Sequence, residues 1–238
     1  MSDADALLAT VLADPAADTP RLVYADFLEE SGQAEAGARA EFIRIQCELA
    51  AGPADPGRRA LLMTHEAVLV RAHGKAWLAP LRVRGEALQN AGTHGLFRRG
   101  FVELVWMPAA IYLKKADKLF ARAPVRELRV TRVRPDDVPD LLAHPATRRL
   151  TGLDMSDLNL GDDAARTLAA SPTLAGLTTL RLRACNITDA GAEALATTPF
   201  DWRPDVIDLA WNPVTDAGWA VLRARFPGVA FEPAINSR

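Results

Sequence analysis

The stretch Leu177-Thr178-Thr179-Leu180-Arg181-Leu182-Arg183-Ala184-Cys185-Asn186-Ile187-Thr188-Asp189-Ala190-Gly191 decides the fold, because it recurs. Leu153, Leu180 and Ile207 are spaced by 27 residues, as are Met155, Leu182 and Leu209. The columns Leu160, Ile187, Val214 and Leu168, Leu195, Leu222 keep the same step. So does the polar column Asp162, Asp189, Asp216, and Thr188-Asp189-Ala190-Gly191 returns as Thr215-Asp216-Ala217-Gly218. Several independent columns at one period mark a repeat architecture.

Each unit reads as one strand and one helix. Leu180 and Leu182 alternate onto one face of a short strand. Thr188 is placed to cap a helix, and Asp189 in its first turn suits the helix dipole. Ala192, Leu195 and Ala196 then give that helix an apolar face. One such unit cannot bury its own apolar face, so copies stack and their strands become parallel neighbours about 4.8 Å apart. Helices are predicted near 109–122, 136–143, 162–170, 189–197 and 216–225. Weaker units start at Phe101 and Val125, and Val229-Ala230-Phe231 is expected to add a last strand without a helix.

The pattern from Leu177 to Ile187 resembles a leucine-rich repeat of the ribonuclease-inhibitor-like kind. The resemblance implies an α/β solenoid, with parallel strands on a concave face and helices on a convex face. It also implies that Cys185 and Asn212 occupy a column whose side chains bond turn backbone. Leu158 in that column departs from the family pattern. Four to five repeats and the terminal strand are expected within 82–238.

Residues 1–81 read as helical. Leu7, Leu8, Val11 and Leu12 share one helical face. Thr19-Pro20 reads as N-cap and first position of a second helix through Glu30. A third helix is predicted over 38–50. A fourth, over 58–73, presents Leu61, Leu62, His65, Val68 and Leu69 and stops at Gly74. The stretch 51–57 reads as a linker. Thr19-Pro20-Arg21-Leu22-Val23-Tyr24-Ala25-Asp26-Phe27-Leu28-Glu29-Glu30, with Arg39-Ala40-Glu41-Phe42-Ile43-Arg44-Ile45-Gln46, resembles the bacterial repeat-companion domain of planctomycete type. That resemblance covers residues 4–50 and implies a helical module preceding leucine-rich repeats, with no established activity. Phe27 stands where the family usually has Trp. Because a stacked fold exposes its core at each end, the helical part is expected to cap the repeats.

The 238 residues are 49% hydrophobic and 24% charged, with mean hydropathy near zero, which excludes a collagen-like or disordered chain. No apolar run is long enough for a membrane span, and the acidic start does not read as a signal peptide. Two cysteines far apart point to a reduced, cytoplasmic protein, expected to be a monomer. Net charge is −5 over 1–81, +7 over 82–149 and −4 over 150–238.

No pattern of a metal site, cofactor loop or nucleophile emerges. His65 reads as a core or boundary residue, Cys47 as a small buried hydrophobe and Cys185 as structural. The expected function is therefore non-enzymatic: an unidentified protein partner docks on the concave strand face. The middle outward positions read Val105, Arg129, Asp154, Arg181 and Asp208, alternating in sign from Arg129. Glu127, Thr131, Ser156, Thr179 and Arg183 flank them, and Trp211 lies just past its strand. Two other readings stand beside this one. An enzyme site would use His94 in the 85–100 loop. An anionic polymer would follow the basic 98–134 region, with Lys114, Lys118 and Arg122 as a stripe and Arg98, Arg99, Arg132 and Arg134 beside it. Nucleic acid ranks below protein, since net charge is −2 and aromatic content 6%.

Overall fold

The computed structural model describes residues 2–81 and 96–231. The chain forms two compact units, Met1–Val105 with Asp117–Val125, and Trp106–Ala116 with Arg126–Arg238.

The first unit is mainly helical: α1 (Asp3–Ala13), α2 (Thr19–Glu30), α3 (Ala34–Ala51) and α4 (Pro56–Leu78), followed by an antiparallel hairpin of β1 (Phe97–Arg98) and β2 (Phe101–Val102). Ser2 and Asp5 close a reciprocal capping box on α1. Thr19 lies inside α2 and does not cap it; Asp18 holds the cap position, its carbonyl accepting from Arg21 and Leu22 N–H, but its carboxylate faces Arg99 at 3.3 Å and does not cap the helix. α4 runs past Gly74, its predicted stop. Gly74 is buried, and Trp77 one turn on packs against Phe42 with ring centroids 4.7 Å apart. That contact outweighs the roughly 1 kcal/mol helix cost of glycine. Val11, Ala25, Ala40, Ile43, Cys47 and Phe101 form a core cluster. The hairpin turn is pressed onto α3. Gly100 has φ +84, and a Cβ there would lie 2.7 Å from the Ile43 Cα. Its N–H donates to Gln46 Oε1 at 2.7 Å. Only glycine meets both demands.

The second unit begins within β3 (Leu104–Met107) and takes in the first turns of α5 (Ala109–Phe120). It continues through β4 (Glu127–Val130), α6 (Val138–Ala143), β5 (Gly152–Asp154), α7 (Gly161–Ala169), β6 (Thr179–Arg181), α8 (Asp189–Ala196), β7 (Val206–Asp208), α9 (Asp216–Arg225) and β8 (Ala230–Phe231). β4 to β8 lie side by side in chain order, all parallel. Leu128, Leu153, Leu180 and Ile207 align in register and are all buried, as are Val130, Met155, Leu182 and Leu209. Each such side chain contributes roughly 1.5–3 kcal/mol of burial. Backbone bonding continues past the short strands. Met155 N–H donates to Arg181 O and Leu182 N–H to Asp208 O, at 2.9 and 2.8 Å, and Asp157 and Ala184 repeat the bond to Arg183 O and Ala210 O. Trp202 is fully buried, its Nε1–H donating to Leu177 O at 2.7 Å.

The recurring Thr-Asp-Ala-Gly has a mechanical explanation. Thr188 and Thr215 cap α8 and α9 through their side chains. The aspartate of one helix also reaches the cap of the next. Asp162 accepts from Thr188 N–H (2.8 Å), Thr188 O–H (2.7 Å) and Gly191 N–H (3.0 Å). Asp189 accepts from Thr215 N–H (2.7 Å) and O–H (2.6 Å). A Cβ on Gly191 or Gly218 would sit 2.6 or 2.4 Å from these carboxylate oxygens, so the motif ends in glycine. Burial pushes the Asp162 carboxyl up, but the three hydrogen bonds together bring it below the usual aspartate range. Hydrogen bonds from the Thr215 hydroxyl and N–H lower Asp189 likewise.

A carboxyl held below its unfolded pKa stabilises the fold above that unfolded value and stops doing so as pH falls through the folded one. Replacing both Asp162 and Asp189 with Asn is expected to lower the thermal midpoint by several degrees at pH 7. The gap to the unaltered chain should close as pH falls from about 4 toward 2. Midpoints followed by circular dichroism across pH 2–8 check this.

Candidate functional site

The outward face of β4 to β7 carries the predicted docking residues, and the sheet register sets their neighbours. Glu127, Gly152 and Thr179 form one row; Arg129, Asp154, Arg181 and Asp208 form the next. β3 departs from the expected alternation. Val105, predicted to point outward, is fully buried, and Trp106 is half-buried instead. The strand run is interrupted at Glu103, whose N–H donates to Leu96 O, and a one-residue slip exchanges the two faces of a strand. The slip supplies an aromatic the sequence reading missed: the Arg129 guanidinium lies 5.0 Å over the Trp106 ring.

The alternating charges pair only in part. Arg129 Nε reaches Asp154 Oδ2 at 3.6 Å, and its Nη2 reaches Asp157 Oδ2 at 3.5 Å. Asp208 pairs diagonally, with Arg183 at 3.2 Å, and not with its in-register neighbour Arg181. The cause is local. Asp154 and Asp208 each accept the N–H two residues on, from Ser156 and Ala210 at 2.9 Å, which turns both carboxylates toward their own strand ends. Among the described residues no carboxylate pairs with Arg181, which is half-buried. Besides Val105, two predicted positions lie beneath the surface: Asp208 is 2% exposed and Ser156 7%. Thr131 is exposed, while Glu127, Thr179 and Arg183 are partly exposed.

Trp211 stands out. It is 55% exposed, and its backbone takes φ +62. Asp157 and Ala184, two repeats and one repeat earlier, share that left-handed conformation at φ +65 and +50, so the repeat demands it. The next residue holds the turn. Asn212 Oδ1 accepts from Cys185 N–H and Ile187 N–H, both at 2.9 Å, and its Nδ2 donates to Leu182 O at 2.7 Å. Cys185 in the same column donates its S–H to Met155 O at 3.0 Å.

The other candidates fall out as follows. His94 and most of the 85–100 loop lie outside the described residues. His65 is exposed, 3.5 Å from Glu41 Oε1, because α4 buries Leu62, Leu69 and Val70 and turns His65, Leu61 and Val68 outward. Both cysteines are buried; burial pushes the Cys47 thiol up to about 11 and raises that of Cys185. In the basic 98–134 region, Arg99 is engaged by Glu103 and Asp18, and Arg134 by Asp137 at 2.8 Å. Lys114, Lys118, Arg122, Arg98 and Arg132 are exposed, and Arg122 also donates to Pro80 O. Among the described residues no group of His, Cys, Asp and Glu is placed to hold a metal ion. No described helix is long and apolar enough to cross a membrane.

Residues 177–196 match the Leucine Rich repeat family. That segment contains β6, the Cys185 turn and α8, so the match falls on the repeat with the fullest set of column residues. No curated protein matches the chain.

Within this leucine-rich repeat and its neighbour, Asn212 and Trp211 should respond oppositely to substitution. Asn212→Ala orphans backbone groups of the turn and is expected to cost about 2–4 kcal/mol. Trp211→Gly relieves a left-handed backbone and should leave stability unchanged or raise it by about 1 kcal/mol. Urea unfolding of both variants measures the contrast.

Proposed function

We propose that the second unit is a leucine-rich-repeat solenoid and that the chain is a non-enzymatic interaction module. A partner protein docks on the outward strand face around Trp211, Arg181 and Arg183, with Thr179, Thr131, Glu127, Arg129 and Asp154 at its flanks. The observation that carries this reading is Trp211. A large aromatic residue occupies a left-handed turn position where glycine or asparagine is favoured, and more than half of it is exposed. Nothing in the repeat requires a tryptophan there, since Asp157 and Ala184 serve in the same column. Exposed tryptophan and arginine are the side chains most enriched in binding hot spots. The family match over 177–196 supports the same reading by analogy of fold.

In this reading Asp208 and Ser156 position the face and do not touch the partner, because both are buried. Residues 4–50 act as a repeat-companion-type module, supported by the run from Thr19 to Glu30 and by Arg39 to Gln46. The compartment is the cytoplasm, in keeping with two buried, unpaired thiols.

The test is affinity purification of the tagged full chain from extracts of its source cell, with identification of what is retained. Trp211→Gly and Arg181→Glu are each expected to lower retention of the partner at least tenfold with circular dichroism unchanged. Lys118→Glu, on α5, should retain it fully. Retention undiminished in the Trp211→Gly, Arg181→Glu double variant would contradict the proposal.

A further inference from the structure

The first unit encloses two arginines and satisfies them differently, although the Nε of Arg21 is also buried without an acceptor among the described residues. Arg21, on α2, is fully buried and donates to Glu103 Oε1 at 2.6 Å, Pro15 O at 2.7 Å, Arg99 O at 3.1 Å and Arg98 O at 3.2 Å. Arg39, on α3, has no acceptor among the described residues, and its Nη1 is shut off from solvent. Its guanidinium carbon instead lies 4.7 Å from the ring centre of Trp77, 5.4 Å from Phe97, 5.5 Å from Phe101 and 5.6 Å from Phe42. The indole Nε1 of Trp77 is likewise enclosed without an acceptor among the described residues. Two unanswered N–H donors, one of them cationic, therefore meet in one aromatic cluster.

Cation–π attraction offsets part of the desolvation of a guanidinium, but it supplies no lone pair for either N–H. Buried donors in folded proteins are nearly always answered by an acceptor. Burial brings the Arg39 guanidinium down to about 10, which leaves it charged at neutral pH. Arginine and indole nitrogens donate only, so what answers them accepts hydrogen bonds, and a negative charge on it also balances the guanidinium. A carboxylate does both, and its planar pair of oxygens matches the planar guanidinium better than a tetrahedral oxyanion does.

We propose that Arg39 and Trp77 form a receptor for a single carboxylate group, one oxygen taking an N–H of the guanidinium and the other the indole N–H. Both residues keep partial exposure, so approach is from their solvent-facing edge. Because Nη1 and the indole Nε1 both face inward, binding turns the guanidinium about its last torsions and the indole about its own. The carboxylate comes either from an acidic peptide or from a free organic acid. The site is independent of the strand face around Trp211.

The test uses the full, 15N-labelled chain and the indole N–H resonance of Trp77, assigned with Trp77→Phe. Sodium acetate is titrated against sodium chloride at equal ionic strength. The resonance is expected to move to saturation in acetate and not in chloride. Arg39→Met should abolish the saturating shift, and Arg39→Lys, which keeps the charge but loses the planar fork, should weaken it about tenfold. If Arg39→Met does not fold, the thermal midpoint of the unaltered chain decides, rising in acetate above its value in chloride. A glutamate-rich peptide and its glutamine counterpart identify the source. Saturation by the glutamate peptide at lower concentration than acetate marks a peptide carboxylate, and equal or weaker binding marks a free acid. No saturation with acetate or the glutamate peptide, or a saturating shift that persists in folded Arg39→Met, overturns the proposal.

Discussion

The second unit depends on one constraint: every repeat must present its backbone donors and acceptors to the next in the same register. The strands are only two to four residues long, too short to fix that register alone. The Met155–Arg181 and Leu182–Asp208 bonds carry the pairing beyond the strands on one side. The Asp162–Thr188 and Asp189–Thr215 contacts repeat it at the helix starts. A change of one residue in repeat length would break both sets together. That is why leucines, aspartates and glycines all keep one step: they answer the same geometric demand from different places in the unit.

The same constraint shapes the candidate site. A turn that must be left-handed at 157, 184 and 211 lifts whatever side chain it carries away from the core. Asn212 bonds Leu209 O and Ala210 O in its own turn and Cys185 and Ile187 N–H in the turn before, so Trp211 is displayed on an anchored backbone. Below it, aspartates that cap their own strand ends bind Arg129 and Arg183 but leave Arg181 without a carboxylate among the described residues. Rigid display of an aromatic beside an uncompensated cation costs little to order on binding.

The repeat was legible in the sequence because its signals are periodic and local. The caps at Thr188 and Thr215, the last strand at Ala230–Phe231 and the helices near 189–197 and 216–225 follow from spacing alone. The losses came where tertiary contacts override local preference. Gly74 continues α4 because Trp77 finds Phe42; the break at Glu103 exchanges Val105 and Trp106; Asp208 is buried by its bond to Ala210 and its diagonal pairing with Arg183. The Arg21–Glu103 pair, far apart in sequence, had no local signal at all. Aspartate 162 was readable as a first-turn residue, yet its work is done on the following helix.

Native-state amide hydrogen exchange at Met155, Asp157, Leu182 and Ala184 addresses the stacking of repeats most directly. If one register couples the repeats, these four amides exchange together, at the rate of global unfolding and with a common dependence on denaturant. Exchange of Met155 and Asp157 well before Leu182 and Ala184, insensitive to denaturant, would show repeats that open independently and would contradict the account.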